Sequence, residues 1–500
     1  LRGSGEHVVV VAGDAAFTCG VSFEAMNNVA ETTKRFIVVL NDNKWSISKN
    51  VGAVARYLSK ITTQPAYAHL HEQAAKFIKA IGGQVALDLA HKVETGMKHM
   101  LLPSVIFEDL GFRYYGPIDG HDTALLERTF EFLKTQNEPV LLHILTTKGK
   151  GYPPALEQPD KFHGLGKFQP ATGETEPATG PTYSQLLGTK LADFADHNNR
   201  IVAITAAMAG GTGLGLFEKR HPGRYHDVGI AEEHAALFAC GLATQGYKPF
   251  LTIYSTFMQR AYDMIIHDIA LQNLNVALCM DRAGLSGDDG PTHHGLFDIG
   301  YLRHIPNFVF MQPKDEEEFV DMLWTMAHYH AGPIAIRYPR GAGTGAQPKE
   351  HPQLLEIGQS EVLRHGRRVL LLGLGNMVPL AEETADLLAA QGIDAAVINA
   401  RWIKPLDRQT LEFFARAAEV VCTFEDHVLH NGYGAAVIEA LAEARITTPV
   451  VRIGWPDQFI DHGKVEALRA QHGVTAAAAV KKILAELKEA PAVAKATPAA

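Results

Sequence analysis

The sequence predicts an α/β protein of three domains with mainly parallel, doubly wound sheets. Three observations predict it. The chain has 500 residues, too many for one hydrophobic core and, at roughly 150 residues each, enough for about three. Short apolar runs alternate with helical patterns, as in strand–helix–strand units. Gly, Asp and Asn gather at the ends of those runs, where open parallel sheets bind ligands.

The first domain, 1–178, carries strand-like runs at 8–11, 36–40 and 140–145, with a helical pattern at 22–29. The Pro/Gly-rich stretch 149–181 reads as a linker. In the second domain, 179–345, the runs 201–205, 276–280 and 334–337 read as buried strands. The third, 346–488, repeats the pattern at 369–372, 395–398, 420–424 and 450–453. The Ala/Pro-rich tail 489–500 cannot bury much surface and is expected to be disordered. The chain opens on Leu1 and reaches its first strand-like run within ten residues, which predicts that it begins inside a domain.

Composition removes several function classes. No window approaches the roughly 18 uninterrupted apolar residues of a membrane span. A net charge of -9 argues against nucleic acid and leaves room for local basic pockets that hold small anions. Cys19, Cys240, Cys279 and Cys422 stand far apart with no CxxC pair, which excludes a disulfide framework or zinc site and fits a reducing cytoplasm.

Three constellations carry chemistry. Gly13-Asp14-Ala15 and Asn41-Asp42-Asn43 place a carboxylate and an amide at the carboxyl ends of two strands. With a backbone carbonyl they would supply oxygens to a Mg²⁺ ion and leave octahedral positions for a diphosphate. Local roles suit them equally: Asp14 as a helix cap, Asn43 as a turn residue. Next, Glu232 and Glu233 stand where the 227–234 segment enters an apolar helix. Burial there raises a carboxyl pKa and favours proton sharing, although acids at a helix start also answer the helix dipole. Third, Arg282, Asp289, His293 and Arg340 follow strand ends and Gly-punctuated loops. Two guanidinium groups grip a phosphate by forked hydrogen bonds, while an acid and an imidazole hold hydroxyls and pass protons. Singly, each arginine also suits a surface ion pair. The Gly373-Leu374-Gly375 turn is too short a signal to indicate a nucleotide site.

Taken in order, these motifs resemble the thiamine-diphosphate enzymes, whose signature is Gly-Asp-Gly followed further on by Asn. The string from Asn41 to Ser48, together with Asp289-Gly290-Pro291-Thr292-His293, resembles the 1-deoxy-D-xylulose-5-phosphate synthase branch more than transketolase. The resemblance implies a transketolase-like fold, thiamine diphosphate and Mg²⁺ as cofactors, and a homodimer. It implies that Asp14, Asn43 and the Trp45 backbone ligate the metal, that Lys148 lies near the diphosphate, and that Ala15, Ile47, Met208 and Phe257 contact the cofactor, Phe257 against its pyrimidine. Ala15 replaces the usual Gly, which is harmless unless the backbone there needs a positive φ. Glu232 rather than Glu233 is implied to share a proton with the pyrimidine. Arg282 and Arg340 are implied to hold the phosphate of glyceraldehyde 3-phosphate, Asp289 and His293 its hydroxyl and carbonyl, with Tyr254 and Arg260 lining the pocket and His163 near the reacting carbon. The third domain is assigned to assembly.

The implied reaction is the decarboxylative condensation of pyruvate with D-glyceraldehyde 3-phosphate to 1-deoxy-D-xylulose 5-phosphate and CO₂, an entry to isoprenoid precursors and to thiamine. Two rivals are a transketolase, which takes a ketose donor, and a catalytically silent subunit. The silent reading is motivated by family segments before Leu1, which the resemblance expects to supply further histidines.

Overall fold

Apolar runs become central strands here because both faces of a parallel sheet are covered by helices, so every second residue on either side needs an apolar neighbour. In a computed structural model, which describes residues 5–45, 50–63, 105–175, 180–341 and 343–489, the chain forms two compact units. One comprises Leu1–Pro177 with Asp227–Ala231, the other Ala178–His226 with Glu232–Ala500. Ile47, the expected boundary near residue 178, and the tail beyond Glu489 lie outside the described residues. Among the described residues, no helix is long and apolar enough to cross a membrane.

The first unit holds a parallel sheet of β1 (Val8–Gly13), β2 (Phe36–Asp42), β3 (Arg113–Asp119) and β4 (Val140–Leu145), in the order β1-β2-β4-β3. Alternation along β2 splits its side chains between two cores. Val38 and Leu40 pack with Phe17, Met26 and Leu141. Ile37 and Val39 pack with Val140, Leu142 and Leu133 on the other face. The register sets Gly13 beside Asn41, so the turns after β1 and β2 open at the same edge of the sheet. The stretch read as a linker contains a short helix, Pro153–Glu157, and the turn Lys161–His163, which its Pro/Gly content concealed.

The second unit holds two sheets. The first contains β5 (Ile201–Thr205), β6 (Tyr225–Asp227), β7 (Lys248–Tyr254), β8 (Ala277–Asp281), β9 (Val309–Met311) and β10 (Ile334–Arg337). The other runs β11-β13-β12-β15-β16, from β11 (Glu361–Arg364), β12 (Val369–Gly373), β13 (Ala395–Asn399), β15 (Val420–Val428) and β16 (Val450–Trp455). The sequence reading did not name β3, β6, β7, β9 or β11, and one further strand joins a sheet outside its own region. β14 (Trp402–Lys404), from the third region, pairs antiparallel with β9 and completes the order β14-β9-β10-β8-β7-β5-β6. Its Trp402 is buried in the core of that sheet and donates its indole N–H to the Gln359 carbonyl at 3.1 Å. Three residues give no periodicity to read, so only the pairing reveals the strand. Gly373, from the glycine turn of the third region, brings β12 against helix Val378–Ala389: a Cβ there would lie 2.8 Å from the Val378 Cα. That close approach accounts for the glycine without a nucleotide.

Candidate active site

Asp14 follows the last residue of β1, Asp42 is the last residue of β2, and Asn43 follows it. The Asp14 carboxylate is buried. It does not cap the helical turn after it. One oxygen accepts from the Ala15 amide at 3.1 Å, the other from the Lys44 amide and the Asn50 side chain, both at 2.7 Å. Burial, then the like charge of Asp42, pushes its pKa up to about 7. The Asn43 side-chain oxygen accepts from the Trp45 amide at 2.9 Å, and between them Lys44 takes φ 64. A left-handed non-glycine residue costs energy, and such residues cluster where a loop must present its groups in a fixed way. Ala15 has φ -63, so the methyl in place of glycine is unstrained.

Sequence reasoning missed the support beneath this turn. Asp42 is buried and hydrogen-bonded at 3.1 Å to the buried His143 of β4, whose other ring nitrogen shares a 2.7 Å hydrogen bond with the Tyr114 hydroxyl. Burial raises the Asp42 pKa, but the hydrogen bond and charge of His143 outweigh it and hold the carboxyl below its usual value. A polar His inside the apolar run 140–145 was the available signal. Asn50 was missed as well. Its side-chain oxygen is buried without a hydrogen-bond donor among the described residues, beside Asp14. An oxygen-rich pocket of this composition fits a hard divalent cation that carries a diphosphate. In the same unit the structure brings two other expected residues together: Lys148 Nζ lies 2.7 Å from His163 Nδ1, and burial lowers the lysine's pKa.

In the second unit, Met208, Tyr254, Arg282 and Arg340 stand at or just past the carboxyl ends of the adjacent strands β5, β7, β8 and β10. Glu232 begins helix Glu232–Thr244 and is buried. Burial raises its pKa, and the nearby Arg260 only partly opposes that. Arg260, expected to line the acceptor pocket, donates to Glu232 at 2.8 Å and lies 3.4 Å from Glu233. Met208 is buried just after β5, behind Ala207 at φ 61.

Tyr254 ends β7, and its ring is the centre of a stack. The Arg282 guanidinium sits 3.8 Å over one side, and the Phe257 ring lies 5.5 Å away and nearly parallel. The His293 ring meets Phe257 edge-on at 5.3 Å. Burial raises the Tyr254 pKa and lowers that of His293, which favours the uncharged imidazole. Arg282 itself has φ 57 and is oriented by the buried Asp281, at 3.1 Å, and by the Gly211 carbonyl. Ser184 donates to the other Asp281 oxygen at 2.6 Å. Arg340 pairs with Asp289 at 3.1 Å and donates to the Ser286 carbonyl. The fork of Arg282, the fork of Arg340, an acid and an imidazole thus belong to one loop system, as phosphate and hydroxyl recognition requires.

Residues 1–146 match the family model for 1-deoxy-D-xylulose-5-phosphate synthase. The proteins of that name from Methylacidiphilum infernorum (isolate V4) and Acidobacterium capsulatum are each 56% identical to the chain over 97% of its length, and the match spans 77% of theirs. The chain belongs to the 1-deoxy-D-xylulose-5-phosphate synthases. Residues 179–344 match the transketolase pyrimidine-binding domain, and 358–478 the transketolase C-terminal domain. Among solved structures, a split-gene transketolase, described as an inactive beta4 tetramer, aligns with TM-score 0.56 at 31% identity, covering 62% of this chain and all of that one. Transketolase from Campylobacter jejuni aligns with TM-score 0.51 at 16% identity over 97% of this chain and 78% of its own, which shows the shared fold. The synthase is a thiamine-diphosphate transferase that joins pyruvate to glyceraldehyde 3-phosphate with loss of CO₂, giving 1-deoxy-D-xylulose 5-phosphate for isoprenoid precursors. The rivals, a ketose-donor transketolase and a silent subunit, are disfavoured by the same identities.

Proposed function

We propose that the residues of this synthase divide its work as follows. Asp14, Asn43 and the Trp45 backbone hold Mg²⁺ and through it the diphosphate, with Ala15, Ile47 and Lys148 alongside. When bound, the cofactor would supply a carbon nucleophile and a thiazolium ring that takes up the electron pair released as pyruvate loses CO₂. Glu232 shares a proton with the pyrimidine. Burial keeps its carboxyl protonated to higher pH, and Arg260 fixes its orientation at 2.8 Å. Phe257 and Met208 pack against that ring. Arg282 and Arg340 bind the acceptor phosphate, Tyr254 supports Arg282 from below, Asp289 and His293 hold the hydroxyl and carbonyl, and His163 stands near the reacting carbon.

The observation that supports this reading is the Arg282–Tyr254–Phe257–His293 stack, which sets a guanidinium and an imidazole along one aromatic ledge. The test supplies the chain with thiamine diphosphate, Mg²⁺ and glyceraldehyde 3-phosphate, and offers pyruvate or a ketose phosphate as donor. CO₂ release with pyruvate is expected. Transfer from the ketose phosphate without CO₂ release from pyruvate would overturn it.

Three coarser features complete the proposal. The chain is organised as domains 1–178, 179–345 and 346–488 with a tail 489–500, a division supported by the limits of the three family matches. It acts as a homodimer, which is supported by exposed Leu237 on helix Glu232–Thr244, Tyr247 just before β7 and Leu271 just after the helical turn Ile265–Ala270. It works in the cytoplasm, in keeping with four buried cysteines that form no disulfide among the described residues.

A further inference from the structure

The third region was assigned to assembly, yet its residues reach the acceptor loop. Gly284 and Gly295, the two feet of that loop, exchange a reciprocal pair of backbone hydrogen bonds of 2.8 Å each. Arg282 precedes one foot and His293 precedes the other, so whatever fixes the feet fixes both groups. Asp426 of β15 lies directly beneath them. It is buried, and one of its oxygens accepts from the Leu285 amide at 3.2 Å and the Trp455 indole at 2.7 Å. Its second oxygen accepts from the Asn376 side chain at 2.9 Å. Gly284, at φ +81, rests so closely on the carboxylate that a Cβ would lie 2.2 Å from Oδ2. The next loop residue, Ser286, offers its carbonyl to Arg340 at 3.1 Å and its amide to His294 at 3.1 Å. The other ring nitrogen of His294 meets the Asp461 carbonyl, again from the third region, at 3.3 Å.

We infer that Asp426 is a positioning residue of the synthase: by anchoring Gly284 and Leu285 it sets the reach of Arg282, His293 and Arg340 toward the acceptor phosphate. The inference rests on the assignment of those three residues to glyceraldehyde 3-phosphate. A carboxylate satisfies three donors at once. An amide in its place turns an N–H toward at least one of them, either the Leu285 amide or the Asn376 side chain on the side that faces Gly284, and so weakens the hold on the loop foot. Misplacement of positioning groups by about 1 Å costs up to about 10²-fold.

The experiment measures KM for glyceraldehyde 3-phosphate and for pyruvate in Asp426→Asn, Asn376→Ala and Arg340→Ala, with thermal unfolding of each. Asp426→Asn is expected to raise the acceptor KM by about tenfold or more and to leave the pyruvate KM within about twofold. Asn376→Ala, which removes one donor from a half-buried position, is expected to do the same to a smaller degree. Equal changes in both KM values, or an unchanged acceptor KM in a folded Asp426→Asn protein, would overturn the inference. If Asp426→Asn does not fold, Asn376→Ala decides by the same criterion. An unchanged acceptor KM in Arg340→Ala would instead refute the acceptor assignment, which keeps the two failures distinct.

Discussion

Arg337, at the end of β10, has no solvent exposure and uses its whole guanidinium. Its Nε donates to both Asp298 oxygens at 3.0 Å, Nη1 to the Gln312 side chain at 2.5 Å, and Nη2 to the Gly295 and Asp426 carbonyls at 3.2 and 3.1 Å. In Arg337→Met the apolar stem is kept and every donor is lost. Among the described residues Asp298, also fully buried, would keep Ser255 Oγ at 2.9 Å and the Ile299 amide at 2.8 Å, with no cation paired to it. Removing one partner of a buried ion pair costs about 3–5 kcal/mol, because the other charge stays behind. The three neutral acceptors that lose a donor place the expected loss at the upper end of that range. Urea unfolding followed by fluorescence should show the shift in midpoint for the second unit. Adding Asp298→Asn removes the stranded charge and should recover at least about 1 kcal/mol. A loss below about 1 kcal/mol in the single variant, or a double variant weaker than the single, would refute the claim that this pair is desolvated and mutually dependent.

Other predictions follow from single groups. Glu232→Gln should lower the rate of 1-deoxy-D-xylulose 5-phosphate formation by about 10²–10⁴-fold without loss of folding, as measured by product assay and circular dichroism. Asp14→Ala should abolish the Mg²⁺-dependent part of thiamine diphosphate binding in calorimetric titration, while metal-independent heat remains. His427 is buried and held neutral, its pKa pushed down to about 4 chiefly by burial, with Nε2 accepting from the Gly300 amide at 3.1 Å. A base with a depressed folded pKa contributes stability above its ordinary value near 6.5 and loses it as pH falls toward 4. Unfolding free energy should therefore drop by up to about 1.4 kcal/mol per pH unit across that window, with a shallower slope in His427→Gln. Leu271→Glu, at a position 77% exposed, should shift sedimentation from dimer to monomer, and an unchanged dimer would remove that face from the interface.

Much of this site was legible because its chemistry is carried by residue types that sequence alone makes conspicuous. Asp14, Glu232 and Arg282 stand at the ends of apolar runs, and the short range of strand–turn geometry sends such residues to the ligand edge of a parallel sheet. Pattern also determined the three sheets, since burial on both faces demands continuous apolar strands. What alternated too briefly or paired too far away was decided only by the tertiary structure. β14 joined a sheet built some 90 positions earlier in the chain, from three residues without periodicity. Asp42 met His143, Arg260 turned to Glu232, and Arg337 gathered four acceptors, because hydrogen-bond partners are fixed by packing rather than by spacing. The same reason moved the third region from assembly to the acceptor loop. Asp426 looks in sequence like the end of a buried strand, and only the fold brings its carboxylate beneath Gly284.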